Sequence, residues 1–186
     1  MSNIALHFEI VTEPAYLARE AASDVRHELV DGVVYAMAGG SDRHARIGGN
    51  LAAALNSHLP GHGVAYGSDM KLRIAHAEAA DHYYPDVMVC CGASDQSQVW
   101  RDDPVLLAEV LSSSTERADR SEKLPAYTGI GTVEEVLLVA QDEMLVELFR
   151  RVTGWRREVF FEVDTLKLAS VGMALPVSAL YRRVEF

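Results

Sequence analysis

The chain has 186 residues, 49% hydrophobic and 24% charged, which excludes wholesale disorder and is enough for one domain with a sizeable core. Seventeen Lys and Arg against 27 Asp and Glu leave a formal charge of −10, which argues against a non-specific nucleic-acid coat protein but not against an enzyme with a local basic surface. The sequence lacks an apolar run of transmembrane length, and Met1–Glu9 has no basic n-region and is broken by His7 and Glu9, so the expectation is no membrane, no signal peptide and a cytoplasmic protein.

Taken in chain order, Pro14 opens a short helical segment over Tyr16 to Asp24. Asp31-Gly32 lies between two apolar-leaning runs, His27 to Val30 and Val33 to Met37, and predicts a hairpin with a type I′ turn. Ser41 is placed to cap a helix reaching about Leu59, with Ile47, Leu51, Leu55 and Leu59 as its apolar stripe and Pro60-Gly61 as its stop. Val64 to Ser68 and Met70 to Ile74 read as strands, and Ala75 to His82 as a mostly polar stretch. Asp86 to Cys91 and Val105 to Leu111 are continuous apolar runs suited to strands buried on both faces. The two cysteines, Cys90 and Cys91, cannot staple distant segments and read as small buried hydrophobes in a reducing compartment. A helix is expected from Ser121, since Pro125 suits a first turn, to Gly129 or Gly131. Val133 to Ala140 and Met144 to Arg150 form a second hairpin, Trp155 to Val163 a last strand, and the tail is weakly patterned. The alternation predicts one α/β or α+β domain over residues 1–186 with a central mixed sheet flanked by helices.

Asp86 and Glu109 stand out, because each is an acid in a run otherwise built for a core. A buried carboxylate must be paired, protonated or bound to a metal. If the two runs pair antiparallel, one allowed register sets Asp86 opposite Glu109 and Cys91 opposite Pro104; the sequence does not choose among registers. Opposed carboxylates about 5 Å apart at Cβ repel unless a cation lies between them, and Mg²⁺ takes one or two carboxylates with waters and phosphate oxygens. The plainer reading is that Asp86 begins its strand in solvent and Glu109 pairs with an arginine. The seven histidines show no convincing zinc spacing; His58 and His62 are separated by the helix-breaking Pro60-Gly61. Ser112-Ser113-Ser114 reads as a loop and cap region, and no phosphate-binding glycine loop is present.

Several segments together resemble one family. Tyr84-Pro85-Asp86-Val87, Glu109-Val110-Leu111-Ser112, Ser114-Thr115, Asp119, Lys123 and Tyr127, preceded by His27 to Gly32 and by His44, are similar to the Uma-type restriction endonuclease family within the PD-(D/E)XK phosphodiesterase superfamily. The resemblance spans roughly residues 14 to 150. It implies a restriction-endonuclease-like fold and an endonuclease that hydrolyses DNA phosphodiester bonds with Mg²⁺ or Mn²⁺. It makes Asp86 and Glu109 metal ligands, with the Val110 carbonyl completing the protein's share, and Glu28 the upstream acid that holds a second ion or positions water. The superfamily pattern places a lysine two residues after the second acid, where this chain has Leu111; the resemblance supplies Lys123 from the following helix instead.

Other readings stay open beside these. Lys123 also reads as a surface lysine paired with Asp119, Tyr127 as a core-edge aromatic, Glu28 as a solvated strand residue, and His44 as a hydrogen bonder rather than a metal ligand. Arg43, Arg46, Lys71, Arg73, Arg117 and Arg120 are candidates for phosphate contacts or simply a solvated face. A homodimer is expected from the resemblance, with Val133 to Ala140 and the tail as candidate interface. The charge of −10 and Leu111 also admit a catalytically inactive nuclease-fold binding protein, or a metal hydrolase of a small phosphorylated substrate.

Overall fold

A computed structural model describes residues 10–186 except 38, 62 and 94. The N-terminal stretch over which a signal peptide was considered, and His62, lie outside the described residues. The elements follow as α1 (Glu13–Glu20), β1 (His27–Val30), β2 (Val33–Ala36), α2 (Asp42–His58), β3 (Val64–Gly67), β4 (Lys71–Ala75), β5 (Ala80–Tyr83), β6 (Val87–Cys90), β7 (Trp100–Arg101) and β8 (Pro104–Leu111). The helical stretch 116–129 comes next: α3 (Glu116–Ala118), π-type turns over Asp119–Lys123, and α4 (Leu124–Gly129). It is followed by β9 (Glu135–Ala140), β10 (Leu145–Arg150), β11 (Arg157–Phe161), β12 (Thr165–Leu168), β13 (Met173–Pro176) and α5 (Val177–Leu180). No helix among the described residues is long and apolar enough to cross a membrane.

The expected single central sheet is divided. A six-stranded mixed sheet runs β11-β10-β9-β8-β6-β3, and a five-stranded sheet runs β2-β1-β5-β4-β7. The second sheet exists because the stretch read as polar contains β5, whose residues are all buried: Ala80 and Tyr83 are apolar, Asp81 accepts from the Asp31 N–H, and His82 is held by Glu13. The tail, also weakly patterned, forms the β12–β13 hairpin, in which Leu166, Leu168, Met173 and Leu175 are buried and alternate residues are exposed.

The large sheet is the scaffold. Alternation along β8 sends Leu106, Ala108 and Val110 to one face, where Ile47, Leu51 and Leu55 of α2 and the C-terminal elements cover them. Leu107 and Leu111 point to the other face, into a second core with Leu72, Tyr83 and Tyr127. Each leucine buried this way contributes about 1.5–3 kcal/mol. Strands β8 and β9 are parallel, so the chain must cross over between them, and 116–129 is that crossover. Most of Val133 to Ala140 is therefore interior, because Glu135 to Val139 of β9 are buried between β8 and β10; only Glu134 of the stretch is exposed, which leaves no apolar face there for an interface.

Local chemistry explains the helices and turns. Ser41 caps α2 by accepting the His44 N–H, and the hairpin turn has Asp31 and Gly32 at φ 50° and 76°. The crossover helix begins at Glu116 rather than Ser121, because the wider π-type turns carry the helical path through to Pro125, which has no N–H to give. Cys90 is buried, its thiol pushed up to about 12 by burial, and Cys91 is half-buried; both are free.

Candidate active site

Strands β6 and β8 pair with Val87 opposite Ala108, Met88 opposite Leu107 and Val89 opposite Leu106. Continued by one residue, this register puts Asp86 and Glu109 on the same face, the one shared by Met88 and Leu107. The far end differs from expectation. A bulge between Val89 and Cys90 sets Cys90, not Cys91, opposite Pro104, leaving Val105 as the extra residue at a strand start that lacks one N–H.

Asp86 lies at the strand entrance, where its Oδ2 accepts from the Val110 N–H at 2.7 Å and stands 3.1 Å from His44 Nε2. Hydrogen bonding to Asp86, opposed by burial, raises the His44 pKa and favours the imidazolium. Gly40 is needed beside it: a Cβ there would come within 2.9 Å of His44 Nδ1. Glu109 is only 3% exposed, and its Oε1 accepts from the Tyr127 hydroxyl at 2.5 Å. Lys123 Nζ is 3.4 Å from Glu109 Oε1, 2.9 Å from Glu28 Oε1 and 3.8 Å from Asp119 Oδ1. Glu28 reaches in from the second sheet and also accepts from the Tyr84 N–H.

The structure thus brings Asp86, Glu109, Lys123 and Glu28 into one site, with Val110 supplying backbone to it. Lys123 is no surface lysine; its side chain is 12% exposed and it meets three carboxylates, Asp119 being the most distant. Burial works against the Lys123 ammonium, yet Glu109 and Glu28 outweigh it and its pKa is raised. Burial pushes the Glu109 carboxyl well above the usual carboxylate range, against the pull of Lys123. Asp119 is raised for the same reason. Asp119, the Tyr84 N–H and Gly40 complete the site; of these only Asp119, four residues before Lys123, left a signal in the sequence.

Asp86, Glu109, Asp119 and Lys123 line a cavity of about 280 Å³ whose wall includes Ser112, Ser114 and Thr115; Glu28 reaches Lys123 from behind that lining. Ser112 Oγ lies 2.9 Å from both Ser114 Oγ and Thr115 Oγ1. A wider groove of about 610 Å³ adjoins it and shares Met37, His44 and Asp86 as lining. Four of the five arginines considered for phosphate contact are already engaged, Arg43 with Asp142, Arg46 with Asp42, Arg73 with Glu13 and Arg120 with Glu147, while Arg117 is exposed on the crossover helix.

A family model described as "Putative restriction endonuclease", Uma2, matches residues 14–178. The chain belongs to the Uma2 family. An uncharacterized Synechocystis sp. protein, slr1290, is 32% identical over 183 residues, covering 96% of this chain and 95% of that protein. A second from the same organism, sll1609, is 34% identical over 148 residues, covering 77% and 82%. The crystal structure of a protein described as a putative nuclease from Anabaena variabilis has the same fold, with a TM-score of 0.68 at 16% identity over 86% of this chain and 92% of that one. Family and fold together support a nuclease. In this Uma2 chain the face position two residues beyond Glu109 belongs to Leu111, packed in the apolar core, and the ammonium arrives from the crossover helix instead.

Proposed function

We propose that this Uma2 chain is an endonuclease that hydrolyses DNA phosphodiester bonds with Mg²⁺ or Mn²⁺. The supporting observation is the meeting of Asp86 and Glu109, from adjacent strands, with the Lys123 ammonium 3.4 Å from Glu109 at the wall of one cavity. Among the described residues no three His, Cys, Asp or Glu side chains form a ready-made metal cage. The donor set nonetheless fits a hard cation that keeps most of its own waters and needs only one or two carboxylates. The contacts of Asp86 and Glu109 run through Oδ2 and Oε1, leaving Oδ1 and Oε2 as donors. The Val110 carbonyl lies on the same strand edge as its N–H, which points at Asp86.

Bound there, the ion would lower the pKa of a water and offset charge growing on the phosphoryl oxygens. The chain's own groups do the rest. Lys123 orients the attacking water or stabilises the developing charge. The Val110 N–H and His44 hold Asp86, and Tyr127 holds Glu109, so neither carboxylate has to be ordered when substrate arrives. The hydroxyls of Ser112, Ser114 and Thr115 offer neutral donors to phosphate oxygens, and Glu28 fixes the ammonium from the opposite sheet.

The test is cleavage of circular, linear and single-stranded DNA in Mn²⁺ by wild type, Asp86→Asn and Lys123→Gln, with calorimetric Mn²⁺ titration of each. Removing a preorganised charge-stabilising group lowers the rate about 10²- to 10³-fold, and both variants are expected to fall at least that far. Asp86→Asn should also weaken Mn²⁺ binding. Cleavage that survives EDTA, or that is unchanged in either variant, overturns the proposal.

A further inference from the structure

The cations bordering the site are largely spoken for. Arg26 is paired with Asp69, Arg43 with Asp142, and Arg120 with Glu147, while Lys123 is held by three acids. A duplex-binding surface neutralises on the order of six to ten phosphates with Lys and Arg. With those pairs intact and a net charge of −10, affinity for a polynucleotide has to come from elsewhere.

The β1–β2 hairpin supplies another source. Its register sets Leu29 opposite Val34 and Glu28 opposite Tyr35. Leu29 and Val34 face a small core with Val11 and Tyr16. Glu28 and Tyr35, one residue along, therefore share the other face, with Cβ atoms about 5 Å apart. Glu28 uses that face to hold Lys123, so Tyr35 shares a strand face with the carboxylate that fixes the ammonium. Met37, two residues on and so on the same side of the chain, lines both the cavity and the groove. Tyr35 itself is 52% exposed on the edge strand β2. A half-exposed phenol on the strand face that carries Glu28 is poorly explained by packing and is the group needed to stack a base.

We propose that Tyr35 is the stacking platform for a nucleobase beside the scissile phosphate, and that the site takes unpaired DNA strands rather than duplex. This rests on the nuclease reading above. An unpaired strand exposes base faces and can bend its phosphate into the recess; a paired one keeps its bases stacked on each other.

The experiment measures binding of a fluorescent oligothymidylate, an abasic oligomer of equal length and a hairpin duplex, in Ca²⁺, to wild type, Tyr35→Ala and Tyr35→Phe. Base stacking is lost on alanine substitution at a level equivalent to about 5- to 150-fold in affinity, so Tyr35→Ala should weaken oligothymidylate binding by that factor. Tyr35→Phe should stay within about twofold of wild type, because the ring face remains. The abasic oligomer should bind wild type and Tyr35→Ala alike, and the duplex should compete poorly. Equal oligothymidylate binding by wild type and Tyr35→Ala overturns the stacking role, as does an equal loss for the abasic oligomer, which would mark a phosphate contact. A duplex that competes better than oligothymidylate overturns the substrate assignment. If wild type binds and cuts DNA while Tyr35→Ala is unchanged, only this inference fails; if wild type binds no oligomer at all, the nuclease reading fails and takes this inference with it.

Discussion

Tyr127 shows how one hydroxyl can serve both the core and the site. Its ring is fully buried and meets Tyr83 edge to face at 5.7 Å, while its hydroxyl donates to Glu109 across 2.5 Å. Tyr127→Phe keeps the packing and removes the donor from a carboxyl with almost no access to water. Leaving a buried polar group without its partner costs about 1–3 kcal/mol, so the variant should lose about that much stability in urea unfolding. Tyr127→Ala adds a cavity and should cost about 3–5 kcal/mol. Equal stability of the Phe variant and wild type would show that the short contact carries no energy. At this scale the site was partly legible. Asp86 and Glu109 were conspicuous as acids in apolar runs, but Lys123, Glu28 and the Val110 carbonyl came from family likeness. Tyr35 had a signal that the hairpin itself provides: Asp31-Gly32 dictates the register, and the register puts Tyr35 opposite Glu28.

Among the elements, the crossover helix 116–129 does the most for the site and was legible only from Ser121 onward. Elements governed by local rules follow the sequence closely: Ser41 caps α2, Asp31-Gly32 turns the first hairpin, and the apolar runs make β6 and β8. The π-type turns over Asp119–Lys123 have no local sequence rule, and β5 was hidden because its polar residues are satisfied only by partners far along the chain. What holds the crossover helix is Arg120. Its guanidinium donates to both oxygens of Glu147 on β10, at 2.6 and 3.1 Å, and to Glu116 at 2.9 Å. Glu147 is buried and also bound by Arg157, so it keeps one partner if Arg120 is removed. Arg120→Ala should therefore cost about 1–3 kcal/mol rather than the 3–5 kcal/mol of a fully orphaned buried charge. Because Lys123 lies within one turn of Arg120, the same variant should lower kcat for DNA cleavage with little change in KM, and Arg120→Lys should restore only part of it. A loss of stability with kcat intact would confine Arg120 to a structural role.

Across the whole molecule, the second sheet reaches α1 through His27, which meets Tyr16 and Glu20, and through a second polar cluster around Glu13 whose protonation can be followed. Glu13 at the start of α1 accepts from Arg73 of β4 at 2.6 and 3.1 Å and stands 2.9 Å from His82 Nε2 of β5. His82 is completely buried, stacks near Tyr16, and its Nδ1 has no hydrogen-bond partner among the described residues. The Arg73 hydrogen bond lowers the Glu13 carboxyl from 4.5 to about 2. Burial depresses the His82 imidazole, so it stays neutral, with the Glu13 contact only partly opposing. Both groups bind fewer protons in the folded state than in the unfolded one, and both therefore make stability rise with pH. The Glu13 contribution is complete above 4.5 and disappears as pH falls toward about 2; that of His82 is complete above its ordinary value and fades as pH drops below it. Buried acids of the site, Glu109 and Asp119, are raised and act with the opposite sign, so the melting curve of wild type alone would mix the two. The gap in melting temperature between wild type and Glu13→Gln isolates the cluster. It should be widest near neutral pH, where the lost charge-assisted hydrogen bonds amount to about 1.5–3 kcal/mol, and should close between pH 4.5 and about 2 as Glu13 itself becomes neutral. A gap that stays constant across that window would mean that the Arg73 contact does not hold α1 to the sheet.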